Sequence, residues 1–378
     1  MSEFQEIGHC GGQVKINIET KQDGLTTYQL VVTHSRPNAA AFFGVYALPQ
    51  GIPVANYGIG FAEEPQPSGC FPVMIASDSQ GLFGYQCPSC NNYWRSEGGA
   101  SMCPYCRHEA PRFEFITQAQ QLYIYEYCKI LGNAIETQQS AIIDMDIVAD
   151  AVGKDIEKPL FYYSEQSQQN KFGCKACGEI NDVLGKFVYC SVCGTRNDLQ
   201  ELENQFNNLR EQINNSGCYE DYLKKVISVF DTFAASYARE LVQKVPMTNS
   251  RKSLMLNLSF HNLERVVNQF KNFFDIDLLK GVNNQDYSFV QLMFHRRHVY
   301  EHLGGQVDND YLLNSKDTSV KLRQTINETQ GSVHQTTSII QKLATNLHND
   351  FHEIIPPLPE PIRWNTERKL RMAGSQVD

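Results

Sequence analysis

No apolar run in the sequence approaches the roughly 20 residues that a membrane-spanning helix needs. Nor does any opening segment join a basic start, an apolar run and a small-residue cleavage site. Both absences lead us to expect a soluble, cytoplasmic protein with no membrane partner. Positive charge is scarce too: 33 Lys and Arg against 42 Asp and Glu leave a formal net charge of -9. Coating duplex DNA non-specifically takes a broadly basic surface, so that class is excluded, whereas a small local basic site is not. What the sequence does have is 42% hydrophobic and 11% aromatic residues, enough for real cores. At 378 residues it is too long for one ordinary domain, and two to four units of roughly 100 to 150 residues are expected.

Cysteine is abundant. Twelve cysteines would suggest disulfides in a secreted protein, but eight fall in paired CxxC units, which in a reducing compartment read as metal ligands. Cys87, Cys90, Cys103 and Cys106 form one group, with twelve residues between the pairs, and Cys174, Cys177, Cys190 and Cys193 repeat the same spacing. Two such knuckles can set four thiolates tetrahedrally around one Zn2+ and leave no open position for water, so both sites are expected to be structural zinc ribbons. Cys10, Cys70, Cys128 and Cys218 are scattered and are expected to be small buried side chains.

The expected fold class is multidomain α+β. Residues 1–86 read as a β-rich sandwich or barrel, with strands at Val14 to Glu19, Tyr28 to Thr33, Phe42 to Leu48 and Phe71 to Ala76 between Gly, Pro and Asn clusters. Zinc ribbons follow at 87–110 and 174–196, separated by a helical connector at 111–173. In the connector, Thr117 to Ile135 has a helical stripe through Ile124, Tyr127, Cys128 and Leu131, and Asp144, Asp146 and Asp150 fall on a second helix as solvated acids. Ser164 to Asn170 reads as a linker. In the first ribbon, Trp94-Arg95 is either a contact for a protein or nucleic-acid partner or a packing residue beside a solvated one.

Residues 197–355 read as an all-α bundle. Helices are expected over Leu199 to Asn214 with Asp198 as N-cap, Tyr219 to Val245, Arg251 to Phe274, Tyr287 to Leu303 ended by Gly304-Gly305, and Ser332 to Phe351. The tail, 356–378, is Pro-rich and basic and is expected to be extended or disordered.

The most unusual stretch is His295-Arg296-Arg297-His298-Val299-Tyr300-Glu301-His302, directly after the apolar Phe289, Val290, Leu292, Met293 and Phe294. At 3.6 residues per turn His298 and His302 stack one above the other, with His295 near the same line. Imidazoles that exchange protons near neutral pH, beside a guanidinium that grips phosphate through two bonds, are what metal-independent RNA cleavage requires. The spacing is also open to metal binding through His298 and His302, although flanking arginines repel a dication, and to a purely structural role.

These residues resemble the R-x4-6-H signature of the HEPN ribonucleases, with Arg297 and His302 in the signature positions and His298 as the polar residue after the arginine. The segment Gly304 to Leu312 is similar to the one that follows the motif in a bacterial branch of that superfamily. The resemblance covers about 197–355. It implies a HEPN-like helical bundle, an RNA substrate, a homodimer with a composite site, and Arg297, His298 and His302 as catalytic residues with no catalytic cofactor. Some members carry a tyrosine two places after the histidine, where Gly304 stands here. The expected function is an endoribonuclease acting by 2′-hydroxyl attack, by analogy a toxin or phage-defence effector. The alternative is a non-enzymatic zinc-ribbon adaptor that binds protein or nucleic acid, with a protein partner possible at the N-terminal region.

Overall fold

The structure is a computed structural model that describes residues 6–8, 12–20, 26–33, 41–57, 66–145, 164–215 and 217–374. The chain divides into two compact units, residues 1–195 with 358–378, and residues 196–357. The class is mixed α and β, with most helices in the C-terminal half.

The strands are β1 (Glu6–Gly8), β2 (Gln13–Thr20), β3 (Thr26–Thr33), β4 (Phe42–Ala47), β5 (Pro53–Tyr57), β6 (Phe71–Ala76), β7 (Phe83–Gln86), β8 (Tyr93–Ser96), β9 (Ala141–Asp144), β10 (Ser164–Gln166), β11 (Asn170–Gly173) and β12 (Ile180–Val183). They pair as β3-β2-β9, β5-β4-β6, β11-β12-β8-β7 and β1-β10. β2 shows why: Val14 and Ile16 are buried while Lys15 and Asn17 face out, the two-residue alternation of a strand with one face on a core. All four expected strands are present. Among the described residues no sheet closes into a barrel, and one core joins residues of three of these sheets with a helix.

That helix is α1 (Gln118–Thr137). Thr117 and Gln120 form a reciprocal capping box at its start, which satisfies two otherwise orphaned backbone donors. Its stripe of Tyr123, Ile124, Tyr127, Cys128 and Leu131 is buried against the strands, in one core with Phe43, Val73, Tyr85, Trp94 and Ile143.

Of the second helix expected in the connector, Asp144 instead ends β9 and pairs with Gln13 across the sheet, while Met145 after it is helical. Ile142 and Ile143 are β-branched and alternate between exposed and buried, so the strand period wins over the helical one. Asp146 and Asp150 lie outside the described residues, as does Cys10. The expected linker at Ser164 to Asn170 contributes β10 and the start of β11.

Trp94-Arg95 is not on the surface. β8 lies between β7 and β12, so both residues are buried. Trp94 packs on Tyr85 and Phe115 with ring centroids 5.5 and 5.3 Å apart. Arg95 bridges Asp78 at 2.8 Å and Asp182 at 3.0 Å, tying the first cysteine module to the second. The tail also departs from expectation, because Pro359–Gly374 is helical. Pro359 and Pro361 fall in the first turn, where backbone N–H groups have no helical partner to lose. Ile362 packs on the second cysteine group, and Asn365 Nδ2 donates to the Ala176 carbonyl at 2.9 Å. Of the scattered cysteines, Cys70 and Cys128 are buried but Cys218 is exposed, just ahead of a helix.

The second unit contains α2 (Asp198–Asn215), α3 (Tyr219–Lys244), α4 (Asn249–Leu256), α5 (Leu263–Phe274), α6 (Asn284–His302), α7 (Asn309–Ser315) and α8 (Gln330–Ile354). The long helices α2, α3, α6 and α8 pack on one another through Phe206, Phe230, Phe233, Phe294, Leu343 and Phe351, all buried. Phe230 meets Phe294 edge-to-face at 6.3 Å, which fixes α6 against α3. The single helix expected over Arg251 to Phe274 is two helices. Asn257 ends α4, and the Asn262 side chain caps α5 by accepting from Arg265 N at 2.9 Å.

Candidate functional site

The four CxxC turns share one local geometry. In each, the first cysteine's N–H donates to the carbonyl five residues on, and its carbonyl accepts from the N–H four residues on: Cys87 with Asn92 and Asn91, Cys103 with His108 and Arg107, Cys174 with Glu179 and Gly178, Cys190 with Thr195 and Gly194. The fourth residue is left-handed every time, with φ of 59° at Asn91 and Arg107, 85° at Gly178 and 72° at Gly194. This turn aims the two sulfurs of a knuckle at one point.

Within each group the four Sγ atoms lie within 4.8 Å of one another. Cys87 to Cys106 and Cys90 to Cys103 are both 3.6 Å, and Cys174 to Cys193 and Cys177 to Cys190 are 3.7 and 3.5 Å. A tetrahedral ion with metal–sulfur bonds of about 2.3 Å separates its sulfurs by about 3.8 Å. All eight cysteines expected as ligands therefore stand where they could hold two metal ions. Side chains support the sulfurs, with Asn92 Nδ2 donating to Cys90 Sγ at 3.3 Å and Asn181 Nδ2 to Cys190 Sγ at 3.6 Å. The two modules are joined by backbone: Met102 N donates to Ser191 O at 3.0 Å and Tyr189 N to Pro104 O at 2.9 Å.

The histidine-rich end of α6 is built differently. Asn283 caps the helix by accepting from Asp286 N at 2.7 Å. Val290, Met293 and Phe294 carry it into the core and Val299 holds its last turn. Gly304 and Gly305 end it with φ of 59° and 85°, and Gly305 N reaches back to Val299 O at 3.2 Å.

The two adjacent arginines have opposite surroundings. Arg296 binds Asp317 at 2.9 Å and Glu328 at 3.2 Å, and Tyr300 Oη donates to the same Glu328 at 3.0 Å. Tyr311 Oη and Ser319 also bind Asp317. Burial opposes ionisation of Asp317, but the hydroxyls of Ser319 and Tyr311, with Arg296, hold it down to about 2. Arg296 thus clamps the segment after the glycines onto α6, a role not visible in the sequence.

Arg297 forms no ion pair among the described residues, and its Nε is buried without a hydrogen-bond partner. The pairing of Arg297 with Glu301 suggested by their helical spacing is not made. Arg297 lines a cavity of about 260 Å³ together with His295, His298 and His261. His298, exposed, has its ring 4.6 Å from that of His302. His302 is exposed as well and does not line the cavity.

Burial, with the charge of His298, lowers His295 below the ordinary imidazole range, against the pull of Glu264. His295, near the line of His298 and His302 in the sequence, is part of the cavity wall. Nothing in the residue pattern pointed to His261, because the loop that carries it lies within what reads as one long helix.

No family model, no curated protein and no solved structure matches this chain. Its functional reading therefore rests on the residues and their geometry. Chemically, the cavity offers a cation with unused donor capacity and several imidazoles, a combination suited to an anionic ester. No helix among the described residues is long and apolar enough to cross a membrane.

Proposed function

We propose that the helical unit is a metal-independent endoribonuclease of the HEPN type. The observation that supports this reading is Arg297: a half-buried guanidinium with an unsatisfied Nε, at the wall of a cavity that His298 also lines. An unpaired buried donor costs stability, on the order of 1–3 kcal/mol, so leaving one beside imidazoles is the mark of a group held for a ligand.

In this reading Arg297 grips the scissile phosphate and stabilises the charge on its equatorial oxygens. His302 acts as general base or acid, and His298 assists as proton carrier or orienter. The 2′-hydroxyl attacks the adjacent phosphorus, leaving a 2′,3′-cyclic phosphate and a free 5′-hydroxyl. His302 stands outside the cavity, so we further propose a homodimer of the helical unit in which His302 works from the rim shared by two copies.

The two cysteine groups are proposed to hold structural zinc, since four thiolates leave no site for a substrate or water. The β-rich and zinc-binding unit would serve as the sensing or scaffold part of a cytoplasmic toxin or phage-defence effector.

The test is cleavage of a defined RNA by protein with loaded cysteine sites and no added divalent metal. Arg297→Ala and His302→Ala should each abolish cleavage, and the parent's products should carry the two stated ends. Variants that cut as fast as the parent, or a parent that needs added metal, would show the mechanism to be wrong. RNA binding without scission in the parent would favour the adaptor reading.

A further inference from the structure

His261 sits on the loop between α4 and α5 and lines the same cavity as His295 and His298 of α6. Its ring is about half exposed, at 53%, while the carboxylate behind it, Asp231 on α3, is 11% exposed. His261 Nδ1 pairs with Asp231 Oδ2. That ion-pair contact engages Nδ1 and leaves Nε2 as the ring nitrogen able to exchange a proton with whatever enters the cavity. Burial pushes Asp231 above the ordinary carboxylate range, and the charges of His261 and Arg297 pull it back. The acid is therefore held by the same cations that face the cavity.

We propose that His261, oriented by Asp231, is a further catalytic residue: the general acid that protonates the departing 5′ oxygen of the cleaved RNA. This rests on the endoribonuclease reading above. Two observations support it. First, a buried carboxylate that holds an exposed imidazole is the orienter-and-carrier pair that proton transfer requires. Second, attacking and leaving oxygens stand roughly in line across a phosphorus, so base and acid must approach from opposite sides. The imidazoles of α6 and of the α4–α5 loop reach the cavity that Arg297 lines from two different elements.

The step balances without an added reagent. The 2′-hydroxyl gives its proton to the base, for which His302 remains available, and the O2′–P bond forms. The P–O5′ bond breaks with its electron pair on O5′, and His261 Nε2 supplies the proton that makes the 5′-hydroxyl. The charged groups around His261 are Asp231 from α3, Glu264 from α5, and Arg297, His295 and His298 from α6. Asp231 is a positioning residue, since it touches only the imidazole and not the substrate.

The experiment compares single-turnover cleavage of a short RNA with cleavage of the same RNA carrying sulfur in place of the 5′ bridging oxygen, a leaving group that needs no protonation. His261→Gln, at an exposed position, should slow the oxygen substrate on the order of 100-fold, cleave the sulfur substrate within about threefold of the parent, and lose the alkaline limb of the pH–rate profile. Arg297→Ala should slow both substrates alike. Asp231→Asn should show a smaller loss on the oxygen substrate only, with RNA affinity unchanged, and Asp231→Glu should restore part of it. If His261→Gln cuts the oxygen substrate at the parent rate, or slows both substrates equally, while Arg297→Ala is inactive, the acid assignment is overturned and the nuclease reading stands. If the parent cleaves neither substrate, or Arg297→Ala cleaves both normally, the nuclease reading falls and this assignment falls with it.

Discussion

Replacing Arg95 with alanine should remove about 4 kcal/mol from the stability of the first unit, the middle of the 3–5 kcal/mol that breaking a buried ion pair costs. The guanidinium is fully buried, bonded to Asp78, itself fully buried, and to Asp182, 4% exposed. Its loss strands two carboxylates in the core. Burial already pushes both above the ordinary carboxylate range in spite of Arg95, so without it both must take up protons or unfold the site. At about 2–4 °C per kcal/mol for a unit of this size, the melting temperature should fall by about 8–16 °C.

The assay is a thermal melt of metal-loaded protein at pH 7 followed by tryptophan fluorescence, to which the buried Trp94 contributes directly. Adding Asp78→Asn to Arg95→Met should recover part of the loss. A shift below about 2 °C, the size of an ordinary surface substitution, would refute the buried bridge and restore Arg95 to the solvated or partner-facing role that its sequence neighbourhood suggested.

Other outcomes follow from the same structure. Arg296→Ala should destabilise the helical unit by roughly 3 kcal/mol, because Asp317 and Glu328 lose their buried partner, whereas Arg297→Ala should be neutral or stabilising; paired denaturant melts decide. Asp317 is held at about 2, below the roughly 3.9 of an unfolded aspartate. Its contribution is therefore fully present above about pH 4 and is lost as pH falls through about 2, and acid titration followed by hydrogen exchange over residues 305–328 should show that segment loosening first. Gly178→Ala should cost about 1–2 kcal/mol, since φ is +85° and a Cβ would lie 3.0 Å from Asn365 Oδ1, while Asn91→Gly, at φ 59° in the equivalent turn, should be tolerated. Removing metal with a chelator should unfold the cysteine modules, and elemental analysis of the intact protein should give about two ions per chain; far less than one would contradict the zinc assignment.

Where the sequence carries a local rule, it was legible. The cysteine spacing needs only one repeated turn, and the structure brings both sets of four sulfurs together. The stripe of α1 and the glycine end of α6 follow from periodicity and backbone conformation alone. What escaped depended on partners far along the chain. Trp94-Arg95 reads as an aromatic and a charge at a hairpin, and only the pairing of its strand with β12, some 85 residues later, and packing on Tyr85 and Phe115 make both residues interior. Asp144 sits in a run compatible with helix or strand until β2 offers it an edge.

Pro359 and Pro361 looked like a barrier to helix formation because their place in the first turn was not apparent. In the helical unit the break at Asn257 to Asn262 was hidden by continuous hydrophobic spacing, although the two asparagines are cap residues. That break carries His261 into the cavity. Arg296 and Arg297, adjacent and chemically alike, differed in the sequence only by the resemblance that singles out Arg297, and the structure adds that Asp317 and Glu328 pair with Arg296.

The most direct test of the account is the end chemistry of RNA exposed to the purified protein without added divalent metal, for the parent and for Arg297→Ala. The account predicts fragments ending in a 2′,3′-cyclic phosphate and a 5′-hydroxyl from the parent and intact RNA from the variant, with the variant melting no lower than the parent. Intact RNA from the parent, or the same fragments from both proteins, would contradict it.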